Sequence, residues 1–410
     1  MSLESFKLML AESLRTNQEN MDYSQTLRSL RQFRSEVATG GVKLLSVDEN
    51  DSLITNLFAF VEKMHLVQPP SPDSTLAFSI GVQCIVNLMS NNDAIRNYFA
   101  DNYIQSILGW LKTEGCKQQN YVCAALLNID QVGKLSKELN NEEFVRDLIS
   151  VSESGAEFGI LLMQNLLNSR HFRQLYEAAR EEQRFFLVQL LESMMTDEGS
   201  FVDEVTFLSS KFKKSCDGIM AAIPSVSSFA SLELALMLEF LSATSYKSGY
   251  ISTLQSDFSL VINSSYLLRG IHEIVSQKKT WKESLKEAVE SIKDKNSELT
   301  KKPFFGVKGN LIRLLGNLSY KHKRNQDQIR EAGCIPIFLD SCKLDGENPF
   351  IKEWSILTIR NVCDGNPENQ TFIKNMNYQG CDLSVVQELS LSLDDGEGNG
   401  INIAPVLRRC

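Results

Sequence analysis

The chain has 410 residues, enough for two or three compact domains or for one extended repeat array. Its hydrophobic fraction of 43% and charged fraction of 23% are those of a folded protein and argue against wholesale disorder. The 42 basic and 51 acidic residues give a net charge of −9, which argues against nucleic-acid binding and is compatible with basic protein partners.

Residues 1–65 are predicted to form helices that cap the start of an array, with a break near the letters ATGGVK. Acidic residues early in the chain and the lack of an apolar core argue against a signal peptide. Residues 67–74, VQPPSPDS, are predicted to be a loop. The later run LELALMLEFLSATSY is too short to span a membrane and contains Glu233 and Glu239, so no membrane insertion is expected.

An asparagine near the end of an apolar helical stretch recurs at five places and defines a register. When each asparagine is position 0, positions −5, −2 and +1 are apolar in all five stretches. Spacings of three residues place these apolar positions on one helix face. The asparagines are Asn87, Asn128, Asn165, Asn317 and Asn361.

The last two stretches are the clearest repeats, and they lie 44 residues apart. Both carry an Asn-Gln pair at +8 and +9, Asn325-Gln326 in one and Asn369-Gln370 in the other. Helical repeats of about 40 to 47 residues are typical of armadillo and HEAT arrays. The 152 residues between Asn165 and Asn317 would hold about four further repeats, one of them with Glu239 at position 0.

Helix start and stop signals support this division. Gly333 is predicted to end a short helix and Pro336 to begin the next one, while Asn366 caps the start of another. In the first repeat, Asn102 is expected to end a helix as Gly333 does. The predicted fold is therefore all-α, an armadillo/HEAT-type right-handed α-solenoid in two blocks.

The predicted organisation has five parts. A helical cap (1–65) precedes armadillo-like repeats (75–275). Residues 276–302, with eight lysines against five acids, are predicted to form a charged helical linker. Further repeats at 303–393 are followed by a flexible tail at 394–410.

No motif in the sequence indicates catalysis. The chain lacks GxxxxGK[ST], HExxH and GxSxG, and its four histidines are far apart along the chain. The nine cysteines form no CxxC pair and no zinc-ligand spacing, so they are interpreted as small buried side chains in a reducing compartment. We expect a non-enzyme with no catalytic residue, no cofactor and no metal.

The repeat asparagines allow two interpretations. In one, each amide braces the turn into the next repeat; in the other, it contacts an extended peptide of a partner protein. The second interpretation predicts a protein-binding groove near the C-terminal repeats. Its members would be Asn310, Arg313, Asn317, Trp354 and Asn361, although Trp354 could instead pack between repeats.

An importin-like transport adaptor is an alternative function, and the regulatory subunit of an enzyme is another. Importin-type recognition uses a tryptophan four residues before each asparagine as a stacking wall for lysine side chains. That position holds no tryptophan in this chain, which disfavours a nuclear-import receptor. Its occupants are Gln83, Ala124, Leu161, Arg313 and Leu357.

Residues 304–376 resemble the C-terminal domain of the ataxin-10 family. The segments that carry the resemblance include GNLIRLLGNLSYKHKRNQDQIREAGCIPIFL and WSILTIRNVCDGNPENQ. The resemblance implies an armadillo-type adaptor or scaffold without catalytic residues. It implies a cytoplasmic location, including a perinuclear or centrosomal position or the midbody, and roles in cytokinesis and neuronal survival. Other proteins are the expected partners, and homo-oligomerisation is left open.

Overall fold

The computed structural model describes a chain of helices joined by turns and loops. No strand occurs among the described residues, so the predicted all-α class is confirmed. The described residues are 3–16, 21–40, 47–90, 92–113, 115–222, 228–277, 306–343, 345, 348 and 350–376.

The chain divides into two compact units, Met1–Leu187 and Val188–Cys410, and the division falls within one helix. The helices up to that point are α1 (Leu3–Arg15), α2 (Tyr23–Ala38), α3 (Val47–His65), α4 (Pro72–Met89), α5 (Asp93–Gly109), α6 (Cys116–Asp130), α7 (Glu142–Glu153), α8 (Glu157–Asn168), α9 (Phe172–Ala178) and the dividing helix α10 (Glu181–Met194). Those that follow are α11 (Val202–Ala222), α12 (Ser228–Thr244), α13 (Ser248–Ser256), α14 (Phe258–Gln277), α15 (Val307–Ser319), α16 (Lys323–Glu331), α17 (Ile335–Asp340), α18 (Ile351–Cys363) and α19 (Pro367–Asn375).

Within the first unit, every second helix forms one layer. Helix α2 packs on α4, α4 on α6, and α6 on α8. The last three of these helices carry Asn87, Asn128 and Asn165 near their C-terminal ends. Because each asparagine-bearing helix packs on the previous one, the register read from the sequence corresponds to a physical layer of stacked helices.

The second unit continues the same order. Helix α12 packs on α15 and α15 packs on α18, while α11 and α14 lie against this layer. The two short helices α16 and α17 connect α15 to α18, so one repeat is short helix, short helix, long helix. This stacking confirms the predicted helical repeat; its right-handed, armadillo-type geometry stays a prediction.

Burial confirms which face of each long helix is the core. Of the fifteen side chains at positions −5, −2 and +1, thirteen are buried. The other two, Ile160 and Ile356, are half-buried. The apolar side chains that repeat every three residues therefore lie in the core, as expected for amphipathic helices.

Most of the predicted helix ends are confirmed. Gly333 follows α16 with a φ of +75°, and Pro336 lies in the first turn of α17. The Asn366 side chain caps α19 by accepting a hydrogen bond from the backbone N–H of Asn369 at 3.1 Å. The predicted loop 67–74 is shorter than expected, because a capping box between Ser71 and Ser74 starts α4 at Pro72.

The prediction for Asn102 is wrong. Asn102 lies inside α5, which continues without a break from Asp93 to Gly109. Its amide donates to the carbonyl oxygen of Tyr98 at 2.9 Å, one turn earlier in the same helix. The amide is therefore satisfied without leaving the helical conformation, and no left-handed stop is needed.

The predicted domain limits stay predictions. The tail 394–410 and residues 278–302 of the charged linker lie outside the described residues. Helices α1 to α3 fall within the predicted cap, where the Lys63 ammonium group donates to three carbonyl oxygens at the end of α1, of Ser13, Leu14 and Thr16. No helix in the described ranges has both the length and the apolar character needed to cross a membrane.

Helices α15 and α18 approach each other closely at Gly316. A Cβ atom added there would overlap Thr358 Oγ1 and would lie 3.1 Å from Thr358 Cβ. The Thr358 hydroxyl donates to the carbonyl oxygen of Ile312 at 2.9 Å, across the same interface. Gly316 and Thr358 thus form a matched pair, which explains why threonine replaces the apolar residue found at position −3 of the other repeats.

We expect Gly316→Ala to destabilise the protein. Alanine favours a helix over glycine by about 1 kcal/mol, but overpacking at this contact costs about 1–3 kcal/mol. Thermal unfolding followed by circular dichroism should show a lower melting temperature. The matched control is Gly109→Ala in α5, where a Cβ atom would meet nothing within 4 Å. Equal melting temperatures for the two variants would contradict the packing argument.

Candidate protein-binding face

The asparagines at position +8 close the ends of the long helices. The amide of Asn325 donates to the carbonyl oxygen of Leu318 at 2.9 Å, and that of Asn369 donates to the carbonyl oxygen of Val362 at 2.8 Å. Both acceptors are at position +1 of their repeats. The last carbonyls of a helix have no partner inside the helix, so a buried side-chain donor satisfies them.

The glutamines at +9 act in the same way on the next carbonyl. Gln326 donates to the carbonyl oxygen of Ser319 at 3.2 Å, and Gln370 donates to that of Cys363 at 2.9 Å, both at position +2. The sequence showed that the Asn-Gln pair recurs, but it did not show this capping role. The fixed distance from the end of the apolar stretch to the pair was the signal that could have revealed it.

The asparagines at position 0 brace neighbouring helices in three of the five repeats. Asn87 donates to the carbonyl oxygen of Arg34 at 3.1 Å, Asn317 to Ser245 Oγ at 2.9 Å, and Asn361 to the carbonyl oxygen of Gly316 at 3.0 Å. Asn128 instead bonds within its own helix, to the carbonyl oxygen of Ala124. Asn165 is exposed.

The predicted groove residues lie on two neighbouring helices, α15 and α18. The Arg313 guanidinium carbon is 4.7 Å from the centre of the Trp354 ring, which joins the two helices. Asn310 accepts a hydrogen bond from Ser242 at 3.4 Å. Asn361 is 7% exposed, and its amide is used in the hydrogen bond to the carbonyl oxygen of Gly316. The other four side chains are half-buried at the surface. Their binding of a partner stays a prediction.

The contacts extend the register to α12 and correct one assignment. Asn361 bonds to position −1 of the preceding long helix, and Asn317 bonds to Ser245. Ser245 is therefore at −1, and position 0 belongs to Tyr246 rather than to Glu239. The contact of Asn310 with Ser242 then matches that of Trp354 with Arg313, since both join position −7 to position −4.

Sequence reasoning missed this register because the repeat has no asparagine. Tyr246 also precedes Asn317 by 71 residues, far more than the 37 to 44 residues that separate Asn87 from Asn128, Asn128 from Asn165 and Asn317 from Asn361. In the corrected register Glu239 is at −7, equivalent to Asn310 and Trp354. Arg313 and Leu357 are at −4 of their repeats. We name the surface that carries these side chains the long-helix face; its residues are Glu192, Glu239, Tyr246, Asn310, Arg313, Trp354 and Leu357.

Arg313 is the centre of the long-helix face. Its guanidinium carbon is 5.6 Å from the centre of the Tyr246 ring on one side and 4.7 Å from that of Trp354 on the other. Burial lowers the pKa of Arg313, while Tyr246, Glu192 and Glu239 act in the opposite direction. Its buried Nε has no hydrogen-bond partner within the part of the chain that the structure describes. Aromatic rings thus compensate part of the lost hydration of this cation.

Two carboxylates lie near Arg313. Protein atoms around the carboxyl group of Glu239 raise its pKa, Glu192 raises it further, and Arg313 opposes both. A cavity of about 380 Å³ opens between α10 and the end of α12. Its lining residues are Gln189, Glu192, Ser193, Ala243, Thr244, Tyr246 and Lys247.

The face offers charges, amides and aromatic rings. None of its seven residues is a histidine or a cysteine. Within the described ranges, no three His, Cys, Asp or Glu side chains are grouped so that they could hold a metal ion. The arrangement is suited to binding, since aromatic and arginine side chains are the groups that most often anchor protein interfaces.

Comparison with known proteins shows which family the chain resembles. The spinocerebellar ataxia type 10 protein domain matches residues 307–400. Ataxin-10 of Bos taurus is 27% identical over 345 residues, which cover 78% of this chain and 70% of that protein. The ataxin-10 homolog of Dictyostelium discoideum is 52% identical over 105 residues, which cover 25% of this chain and 17% of that protein. The chain is therefore similar to proteins of the ataxin-10 family, and its C-terminal repeats match the family's domain.

This similarity to ataxin-10 proteins agrees with the resemblance found in residues 304–376. The matched domain includes all five predicted groove residues, whereas Glu192, Glu239 and Tyr246 precede it. Ataxin-10 of Xenopus tropicalis, 26% identical over 353 residues, covers 82% of this chain and 71% of that protein. A crystal structure of an engineered protein covers 95% of both chains with a TM-score of 0.34 and 14% identity, a likeness too low to support the fold.

Replacing Gln326 by leucine should destabilise the second unit. Gln326 is 1% exposed and also donates to the carbonyl oxygens of Asn361 at 2.9 Å and Asp364 at 3.0 Å. Each buried acceptor left without a donor costs about 1–3 kcal/mol. Denaturant unfolding should show a loss of at least that size. The control is Gln328→Leu on the same helix, at a half-buried position; a similar loss there would contradict the capping role.

Proposed function

We propose that this ataxin-10-like protein is a non-enzymatic scaffold that binds other proteins through its long-helix face. The observation that carries the proposal is Arg313, held between the rings of Tyr246 and Trp354 at the surface. A guanidinium fixed in this way loses little conformational freedom when a partner binds. Stacked helices also give the face a rigid support, which suits a repeat protein that holds partners.

Exposed aromatic surface supports the same proposal. Tyr246 is 62% exposed, although its ring contacts Arg313. Leu357, three residues after Trp354 on α18, is 37% exposed. Large side chains that remain exposed beside a half-buried cation can bury their apolar area on a partner, and that burial would stabilise the complex.

The family resemblance supports a cellular setting for this scaffold. We propose a cytoplasmic protein that acts at the centrosome or midbody, in cytokinesis and in the survival of neurons. Imaging a fluorescent fusion of the full chain through cell division tests the setting. A signal that stays away from both structures throughout division would contradict it.

A photo-crosslinker at position 246 should form covalent adducts with partner proteins. The ring of Tyr246 lies on the long-helix face, and benzoyl-phenylalanine preserves an aromatic side chain there. Adducts are measured by gel shift and mass spectrometry after irradiation in cells. Position 266 is the control, because Tyr266 on α14 is 52% exposed but lies on a helix outside the face. The same adducts at both positions, or none at 246, would argue against the proposal.

Arg313→Ala should weaken binding of those partners by about tenfold or more, since interface arginines of this kind often contribute over 1.4 kcal/mol. Pull-down with purified, crosslink-identified partner measures the loss. The matched control is Arg173→Ala, an exposed arginine on α9, a helix that carries no residue of the face. If the two variants bind equally well, the face is not the binding surface.

A further inference from the structure

The long-helix face differs in character along its length. At the α10 and α12 end it carries the carboxylates of Glu192 and Glu239, together with the exposed ring of Tyr246. At the α18 end it carries Trp354 and Leu357, both apolar. Arg313 lies between the two ends. A partner that covers the whole face must therefore offer different chemistry at its two ends.

The acidic end contains a cavity and has little positive charge available to it. Lys247 also lines the cavity, but its ammonium group donates to the carbonyl oxygen of Met195 at 2.8 Å. Arg313 is committed to the two aromatic rings. The pKa of Glu239 is raised, because the effects of burial and of the Glu192 carboxylate are larger than the opposing effect of Arg313.

The cavity suits a long cationic side chain. Its volume of about 380 Å³ exceeds that of one amino-acid side chain, and its wall includes the Tyr246 ring and the buried Thr244. A guanidinium or ammonium group can stack on the exposed ring while it pairs with a carboxylate. An acidic side chain there would meet the carboxylate of Glu192, which lines the cavity and interacts electrostatically with Glu239.

The distance between the two ends sets a spacing in the partner. Packed helices lie about 8–10 Å apart, so the two steps from α12 to α18 span about 16–20 Å. An extended chain advances about 3.3 Å per residue, so about five or six residues cover that distance.

We propose that the partner presents an extended segment with an arginine or lysine side chain that enters the cavity near Glu192 and Glu239. A large apolar side chain of the same segment, about five or six residues away, packs on Trp354 and Leu357. This inference rests on the proposed function and names the chemistry of the partner. It differs from recognition of a lysine run by a row of tryptophans, because one cation and one apolar side chain suffice.

Selection from a random 12-residue phage-displayed peptide library tests the inference with the full chain as target. Enriched peptides should contain Arg or Lys together with Leu, Ile, Phe, Met or Trp at the stated spacing. Synthetic copies should bind Glu192→Gln/Glu239→Gln at least tenfold more weakly than the unaltered chain in fluorescence anisotropy. Glu181→Gln/Glu198→Gln, which removes two exposed carboxylates outside the cavity, should bind them normally.

Charge reversal gives a second measurement. Selection against Glu192→Lys/Glu239→Lys should enrich acidic peptides in place of basic ones, and circular dichroism confirms that each variant is folded. Enrichment without a basic preference, equal binding to the glutamine variant, or no enrichment at all would each overturn the inference. The scaffold proposal has a separate readout: if adducts at position 246 form and Arg313→Ala weakens partner binding in any of these cases, the scaffold role stands and the stated partner chemistry falls.

Discussion

Buried helix ends impose the constraint on which the second unit depends. The final carbonyl groups of a long helix lie where the next repeat packs, so water cannot satisfy them. The chain meets this constraint with amide side chains at fixed distances, Asn325 and Gln326 in one repeat and Asn369 and Gln370 in the next. An amide suits the task because it donates strongly without bringing a charge into the interior.

The same arrangement determines which side chains remain free to meet a partner. The asparagine at position 0 braces a neighbouring helix in three of the five repeats, as Asn361 does by its bond to Gly316. Close approach at Gly316 and Thr358 brings the α15 and α18 backbones together, and the side chains of Arg313 and Trp354 then stack at the surface. The contact of Arg313 with Trp354 on the long-helix face is thus a consequence of how the two helices pack, and these two side chains lie one and two turns before position 0 of their helices.

Much of this was accessible from the sequence. Apolar side chains at −5, −2 and +1 predicted the core face because burial must follow the helical period. Arg313 and Trp354 were rightly placed near each other, since a constant repeat length places equivalent turns side by side. The roles of Gln326 and Gly316 were not predictable, because they depend on contacts between helices and on no property of their own segments.

The errors also have physical causes. Asn102 has the composition of a helix stop, yet a carbonyl one turn earlier satisfies its amide within α5. Tyr246 is not an asparagine, so the sequence does not identify it as position 0. The 71 residues between Tyr246 and Asn317 also differ from the usual repeat length. Glu239 was consequently assigned to position 0 instead of −7, and Tyr246 was not recognised as part of the face. Registers lost in this way are recovered from contacts between neighbouring helices.

The hydrogen bonds of Gln326 to three carbonyl groups limit where residues can be inserted into such a chain. One acceptor, Ser319, belongs to its own repeat, while those of Asn361 and Asp364 belong to the next. Insertions between position 0 and the Asn-Gln pair would move the amides away from their acceptors, so this nine-residue stretch should keep its length. Insertions before a long helix leave every such distance intact. Length variation among relatives should therefore concentrate there, as the interval between Tyr246 and Asn317 already illustrates.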